Sequence, residues 1–271
     1  MSYQTDLKRH LAEYKRSTLG IREPGLYRRK EYEHILPLPK QSANLLEEAE
    51  AKGSAFLAAH PIKRHQYFHH LNSSQAFTFN LFFPYFCGGP EAACALLRAL
   101  GQEGTLSEWE PEAVPVAHEK TNIDVLWTKQ AGLRTYCEVK LSEPEFGTAV
   151  NDAGHQDKLS KIYRPDLAGH LEPTRLEPAA FFQAYQFNRN VWHLVRTEGS
   201  RLIFLLPRSN TGLWRHIQKL ILGVLPHTRE RISAVAIEDV IAALLADARC
   251  PHRLRGYAQK LRDKYLVQSI T

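Results

Sequence analysis

Apolar positions along this chain follow first a helical spacing, then strict alternation, then a mixture of unbroken runs and helical spacing. Residues 1–70 are polar and largely helix-patterned, punctuated by Pro24, Pro37, Pro39 and Pro61. Within them SANLLEEAEAKGSAFLA predicts one helix, with Ser42 as its cap and Gly53 near its end. The aromatic run SQAFTFNLFFPYF predicts a second, capped by Ser73 or Ser74 and interrupted at Pro84. GPEAACALLRALG follows as a third, with Pro90 in its first turn and Gly101 where it stops.

The period then changes. TNIDVLWTK and LRTYCEVKLSE both alternate, with QAG between them as a turn, and together predict an antiparallel hairpin. Residues 142–178 carry Pro, Gly and charge and predict a long excursion or flap. PAAFFQAYQFNRNVWHLVRTEG predicts a helix ending near Gly199, and the unbroken apolar run RLIFLLPR a buried central strand. A helix (LWRHIQKLILGVL), a strand (ISAVAI), a helix opened by acids that suit its N-terminal dipole (EDVIAALLADA) and a basic helix (HRLRGYAQKLRDKYLVQ) complete the order. That order predicts an α/β fold, a mixed central β-sheet flanked by helices with helical N- and C-terminal additions. Residues 1–70 are expected to form a helical extension packed on a core of residues 71–271.

A 44% hydrophobic and 24% charged composition fits a folded protein. The charged start MSYQTDLKRHLAEYKRS is unlike a secretory signal, and no apolar run nears the roughly 20 residues that span a bilayer. The expected location is the cytoplasm, with no membrane partner. Cys87, Cys94, Cys137 and Cys250 form no C-x-x-C pair, which argues against structural zinc and a disulfide framework. A net charge of +6 favours an anionic partner, nucleic acid first, and is equally compatible with a basic enzyme that binds no polyanion.

The chemistry concentrates in the hairpin. On a strand, side chains two apart share a face, so Glu138 and Lys140 project together while Val139 points the other way. Asp124 precedes Glu138 with 13 residues between them and the turn roughly midway, so antiparallel pairing can set the two carboxylates side by side. Such a pair repels unless a cation lies between, and oxygen ligands of this kind suit Mg²⁺, with the Val139 carbonyl as a third donor. The Lys140 ammonium could polarise an attacking water or offset charge on a phosphate. The competing reading is a solvated strand face, on which alternating charge is common.

These residues resemble the D-x(n)-E-x-K signature of the PD-(D/E)xK, or restriction-endonuclease-like, nuclease superfamily. YEHILP with NLL, HHLNSSQAFTFNLFFP, EKTNIDV, CEVKLSEPEFG and FFQAYQFNRN are similar to a bacterial branch of that superfamily labelled as restriction endonucleases, over about residues 25–270. The resemblance implies Asp124 and Glu138 as ligands of Mg²⁺, which Mn²⁺ could replace, and Lys140 as the catalytic lysine. It also implies a core of helix, three antiparallel strands, helix and further strand. Relatives often add an acid from the helix before the sheet; here that helix offers Gln75 and Asn80 instead, and Glu91 or Glu119 stands as an alternative third ligand. The signature's proline is absent, Asn122 and Ile123 standing before Asp124. Relatives place a glutamine and an aromatic on the helix after the catalytic strand, where this chain has Gln183, Tyr185, Gln186, Arg189 and Asn190. Gln183, Gln186 and Asn190 would share one helical face, with Gln186 catalytic and the others, with Arg189, at the substrate.

His65 and His69 stand at i, i+4 without a third ligand and are read as packing or surface histidines. No Gly-rich phosphate loop or Ser-His-Asp order is present. The expected protein is a Mg²⁺-dependent DNA endonuclease; the alternatives are an RNA nuclease and a nucleic-acid-binding relative that has lost cleavage. Cutting both strands of a duplex would favour a homodimer.

Overall fold

The computed structural model describes residues 2–60, 62–117, 119, 121–130 and 132–267. Pro61, Ala131 of the expected turn, Lys120 of EKTNIDV and Gln268 of the closing helix lie outside them. The chain divides into two compact units, one built from residues up to Leu106, Val139–Ser142 and the chain from Ala236 onward, the other from Ser107–Glu138 and Glu143–Val235.

The first unit begins with helix α1 (Tyr3–Ser17), whose cap Ser2 accepts the Thr5 N–H. Next comes a short antiparallel hairpin, β1 (Gly25–Tyr27) and β2 (Lys30–Tyr32), which the helical reading of residues 1–70 did not anticipate. A 3₁₀ segment (Leu38–Asn44) precedes α2 (Glu47–Ala59), so the first predicted helix starts after Leu46 and not at Ser42. Helix α3 (Ser74–Phe86) is capped by Ser73 and is buried from Gln75 to Phe86, as a helix apolar on every side must be. Helices α4 (Pro90–Ala99), α11 (Ile237–Ala246) and α12 (His252–Tyr265) complete the unit.

Pro84 does not end α3, and the reason lies in α12. A proline has no N–H for the carbonyl four residues back, which frees the Asn80 oxygen. The Tyr257 hydroxyl donates to that oxygen at 2.5 Å. The Asn80 side chain extends the repair: its Nδ2 donates to Asn44 O at 2.9 Å and the Tyr265 hydroxyl at 2.6 Å, and its Oδ1 accepts the Leu46 N–H at 2.7 Å. Lys264 joins the network through Asn44 O at 2.6 Å and Oδ1 at 2.9 Å, its ammonium facing the rings of Tyr14 and Tyr265.

Burial pushes the Lys264 amine down to about 7. A folded value below the unfolded one means that between about pH 7 and 10.5 the unfolded chain binds more protons, so stability rises with pH there, by up to about 1.4 kcal/mol per unit. Tyr14, which burial and then Asp263 raise to about 12, acts in the opposite sense above pH 10. Chemical denaturation from pH 6.5 to 9.5 is expected to show rising stability in the wild type and a flatter profile in Lys264→Met. A wild-type profile as flat as that of the variant would contradict the buried amine.

The second unit carries the five-stranded mixed sheet, in the order β3 (Leu106–Ala113), β4 (Ile123–Lys129), β5 (Arg134–Val139), β6 (Arg201–Leu206), β7 (Ile232–Ala236). Strand β3 is an edge, and its LSEWEPEA sequence carries acids at Glu108, Glu110 and Glu112 and a proline at Pro111, the features that blunt an exposed edge and hide a strand from periodicity. The central run β6 is buried from Leu202 to Leu206, as its unbroken apolar pattern predicts.

The expected excursion between residues 142 and 178 is partly helical: α5 (Ala153–Lys158), a π turn (Leu159–Tyr163), α6 (Arg164–Leu167) and a 3₁₀ turn (Pro173–Leu176). The single helix expected over 178–199 is two, α7 (Pro178–Gln183) and α8 (Tyr185–Val195), separated at Ala184 (φ −122°, ψ 32°). In a continuous helix the Gln186 N–H would bond to Phe182 O. Here Gln186 N–H donates to Gly147 O at 3.0 Å while Phe182 O accepts the Ala149 N–H at 2.9 Å, so residues 147–149 take both partners. Helices α9 (Thr211–Leu222) and α10 (Pro226–Arg229) complete this unit.

Candidate active site

Strands β4 and β5 pair antiparallel through Val125↔Cys137, Leu126↔Tyr136, Trp127↔Thr135 and Thr128↔Arg134. One further step in this register sets Asp124 opposite Glu138, and directly opposed residues share a face with Cβ atoms about 5 Å apart. The alternation that fixes this register also buries Val125, Trp127 and Cys137 on the opposite face. Cys137 lies within the field of both carboxylates: burial first, then Asp124 and Glu138, hold its thiol well above the ordinary range.

Asp124 is half-buried, and Glu138 is buried beneath α8. Gln186 Nε2 donates to Glu138 Oε1 at 2.6 Å, and Asn190 Nδ2 donates to Oε2 at 3.1 Å. The two donors stand one helical turn apart, so α8 holds each carboxylate oxygen with one amide. Gln186 is itself held, its Oε1 accepting the Gly147 N–H at 3.2 Å. A Cβ added at Gly147 would come within 3.3 Å of that oxygen, which keeps the position small. Asn190 is buried, and its Oδ1 has no hydrogen-bond partner among the described residues.

The other predicted residues are placed as follows. Val139 ends β5 and Lys140 follows it, 8% exposed; both belong to the first unit. Gln183 is exposed on α7, and the break at Ala184 removes it from the helical face shared by Gln186 and Asn190. Arg189 stacks its guanidinium 5.5 Å from the centroid of the Tyr185 ring, with a buried Nε that has no partner among the described residues. Gln75 and Asn80 lie on α3 in the first unit. Gln75 accepts the His65 N–H at 2.8 Å and donates to Lys63 O, and Asn80 bonds within the α3–α12 network. Both side chains are thus engaged in hydrogen bonds within the first unit. Glu91 is exposed at the start of α4.

Glu119 is more informative. It is buried in the second unit, where the Tyr163 hydroxyl donates to its Oε1 and Lys158 Nζ approaches to 3.8 Å. The Tyr163 hydroxyl also meets that of Tyr185 at 3.0 Å, beside Gln186. Burial, then Glu119, pushes the Tyr163 phenol far upward, so Tyr163 remains a proton donor to the carboxylate. Tyr163 closes the π turn, a feature no sequence period announces.

The donor set decides what the site can hold. Among the described residues, no group of three or more His, Cys, Asp or Glu side chains could hold a metal ion. Two opposed carboxylates with neutral oxygens fit a hard divalent cation that keeps much of its water, the habit of Mg²⁺. They do not fit zinc, which wants thiolate or imidazole.

A hairpin of this register in a mixed sheet flanked by helices defines a restriction-endonuclease-like core. No curated protein and no solved structure matches the chain. A family model does, over residues 8–266, so the chain belongs to the family described as "Restriction Endonuclease associating with ARP". Among the described residues no helix is long and apolar enough to cross a membrane.

Proposed function

We propose that this protein is a Mg²⁺-dependent nuclease that hydrolyses phosphodiester bonds in DNA. The observation that carries the proposal is the β4–β5 register, which sets Asp124 opposite a Glu138 whose two oxygens are oriented by Gln186 and Asn190. Family membership supports a nuclease in general and a nucleic-acid substrate.

The Asp124 and Glu138 carboxylates, with the Val139 carbonyl, would hold the cation. A bound Mg²⁺ supplies Lewis-acid polarisation of a phosphoryl oxygen and a more acidic water. Gln186 and Asn190 keep Glu138 in one rotamer, each donating to one of its carboxylate oxygens. Lys140 carries three donors and no acceptor. Its role is to orient the attacking water and offset charge as it develops on the phosphate.

The test is cleavage of plasmid, linear duplex and single-stranded DNA, and of RNA, with Mg²⁺ or Mn²⁺ against a chelator, for wild type and Lys140→Ala. Metal-dependent DNA cutting is expected in the wild type, with a loss of at least about 10²-fold in the variant. Equal cutting by both proteins would sink the assignment. Binding of nucleic acid without cutting would leave a recognition module of the same fold, and preferential cutting of RNA would change the substrate.

A further inference from the structure

The hairpin β1–β2 in the first unit turns on two residues, Arg28 and Arg29, with φ of 49° and 66°. Positive φ at both central positions is the type I′ turn, whose usual residues are Asn and Gly. An L side chain pays for this conformation through crowding of its Cβ against the following carbonyl. Folding alone therefore gives no reason for two arginines here.

Nor do the side chains repay the strain within the protein. Both arginines and the adjoining Lys30 are exposed, and none of the three makes an ion pair or side-chain hydrogen bond among the described residues. Of the acids around them, Glu23 pairs with Lys40 and Glu33 lies 3.6 Å from Arg16, while Glu31, paired in register with Leu26, forms no ion pair with the three cations among the described residues. Arg28 lies against an aromatic ring, its guanidinium 5.2 Å from the Tyr27 ring centroid. Tyr27 is in turn fixed edge-on to Tyr67 and His70, at 5.2 and 5.3 Å between centroids. Burial, then neighbouring positive charge, lowers the His70 imidazole to about 4, so near neutral pH it braces the tip as an uncharged ring.

We propose that this turn is a nucleic-acid contact, in which Arg28, Arg29 and Lys30 form a rigid phosphate-binding tip. It rests on the nuclease reading and adds to it a binding surface in the first unit. Guanidinium forks match phosphate oxygens two by two, which a flexible lysine cluster does not. A tight turn anchored on packed rings presents those forks with little freedom left to lose on binding. Polyanionic DNA fits three cations within three residues because each neutralised phosphate releases counterions.

The experiment measures binding of a short duplex by fluorescence anisotropy across a salt series, with Ca²⁺ supplied in place of Mg²⁺. It compares wild type with Arg28→Asn/Arg29→Gly and with Arg28→Gln/Arg29→Gln. The Asn-Gly variant is expected to melt higher, because the turn relaxes, yet to bind DNA about tenfold or more weakly at low salt. Its slope of log affinity against log salt should fall by about two. The Gln-Gln variant should lose affinity alike without the thermal gain. Wild-type affinity and slope in both variants would overturn the proposal and leave an acidic protein as the partner for the tip. Absence of any wild-type DNA binding would overturn it together with the nuclease reading. Hairpin-dependent binding by a protein that cuts nothing with Mg²⁺ would keep the tip and remove the nuclease.

Discussion

On the proposed function, a Glu138→Gln variant is expected to lose DNA cleavage by at least about 10³-fold and to show no thermal stabilisation by Mg²⁺ where the wild type should show one. The substitution keeps the volume of a buried side chain, so the unit still folds; what disappears is one of two opposed negative charges. An amide oxygen at that position holds a divalent cation far less well than a carboxylate. The amide also meets the wrong partners, because Gln186 Nε2 and Asn190 Nδ2 each donate to a Glu138 oxygen and in the variant one of them would face an NH₂ group. The effect of the neighbours is graded. Gln186→Leu and Asn190→Leu leave both carboxylates in place and loosen the orientation of Glu138, so each should cost about 10–100-fold in the proposed metal affinity or activity. Steady-state cleavage and the Mg²⁺-dependent shift in Tm check both halves. A Glu138→Gln protein that still cuts at wild-type rate would remove the metal site from this hairpin.

Asn80→Leu is expected to destabilise the protein by about 3–5 kcal/mol and lower its Tm by about 10 °C. Asn80 is fully buried, and leucine leaves the Leu46 N–H and the Tyr265 hydroxyl without this partner while Asn44 O keeps Lys264. Each buried polar group so abandoned costs about 1–3 kcal/mol. Pro84 sharpens the effect, since the carbonyl of the same residue depends on Tyr257 and any shift of α3 disturbs both bonds. Thermal melts and urea titrations measure the loss. The result also separates packing from substrate contact: a residue that touches substrate would change the KM for DNA in a protein of unaltered stability, and Asn80 should do the reverse.

The acid sensitivity of the fold has its own source. Burial lowers His34 and His70 to about 4 and His193 to about 3. Each contributes stability that is complete above the unfolded value near 6.5 and is lost as pH falls through the interval below it.

What could be read from the sequence was what local period controls. Alternation in residues 121–143 specifies a hairpin, and in a hairpin with one buried face alternation also specifies register, because a slip of one residue would turn Val125, Trp127 and Cys137 to the wrong side. The opposition of Asp124 and Glu138 was therefore legible before any coordinates. So were the buried strand β6 and a mixed sheet flanked by helices; the restriction-endonuclease-like class came from the resemblance of the motifs. The motifs that resemble the nuclease superfamily pointed to the helix after the catalytic strand, and Gln186 and Asn190 on α8 donate to Glu138.

Tertiary structure decided the rest. Whether Gln183 joins that pair depends on residues 147–149, distant in sequence, taking the backbone bonds of a continuous helix. Whether Asn80 faces substrate or core depends on α12, over 170 residues away, and on the hydroxyls it brings to a proline-broken turn. Strand β3 is set by the free edge beside β4, which accepts a segment whose own proline and acids argue against a strand. Period is a property of neighbouring residues and can be read from them. The partner of a buried polar group is a property of whichever chain segment arrives, and only the folded protein specifies that.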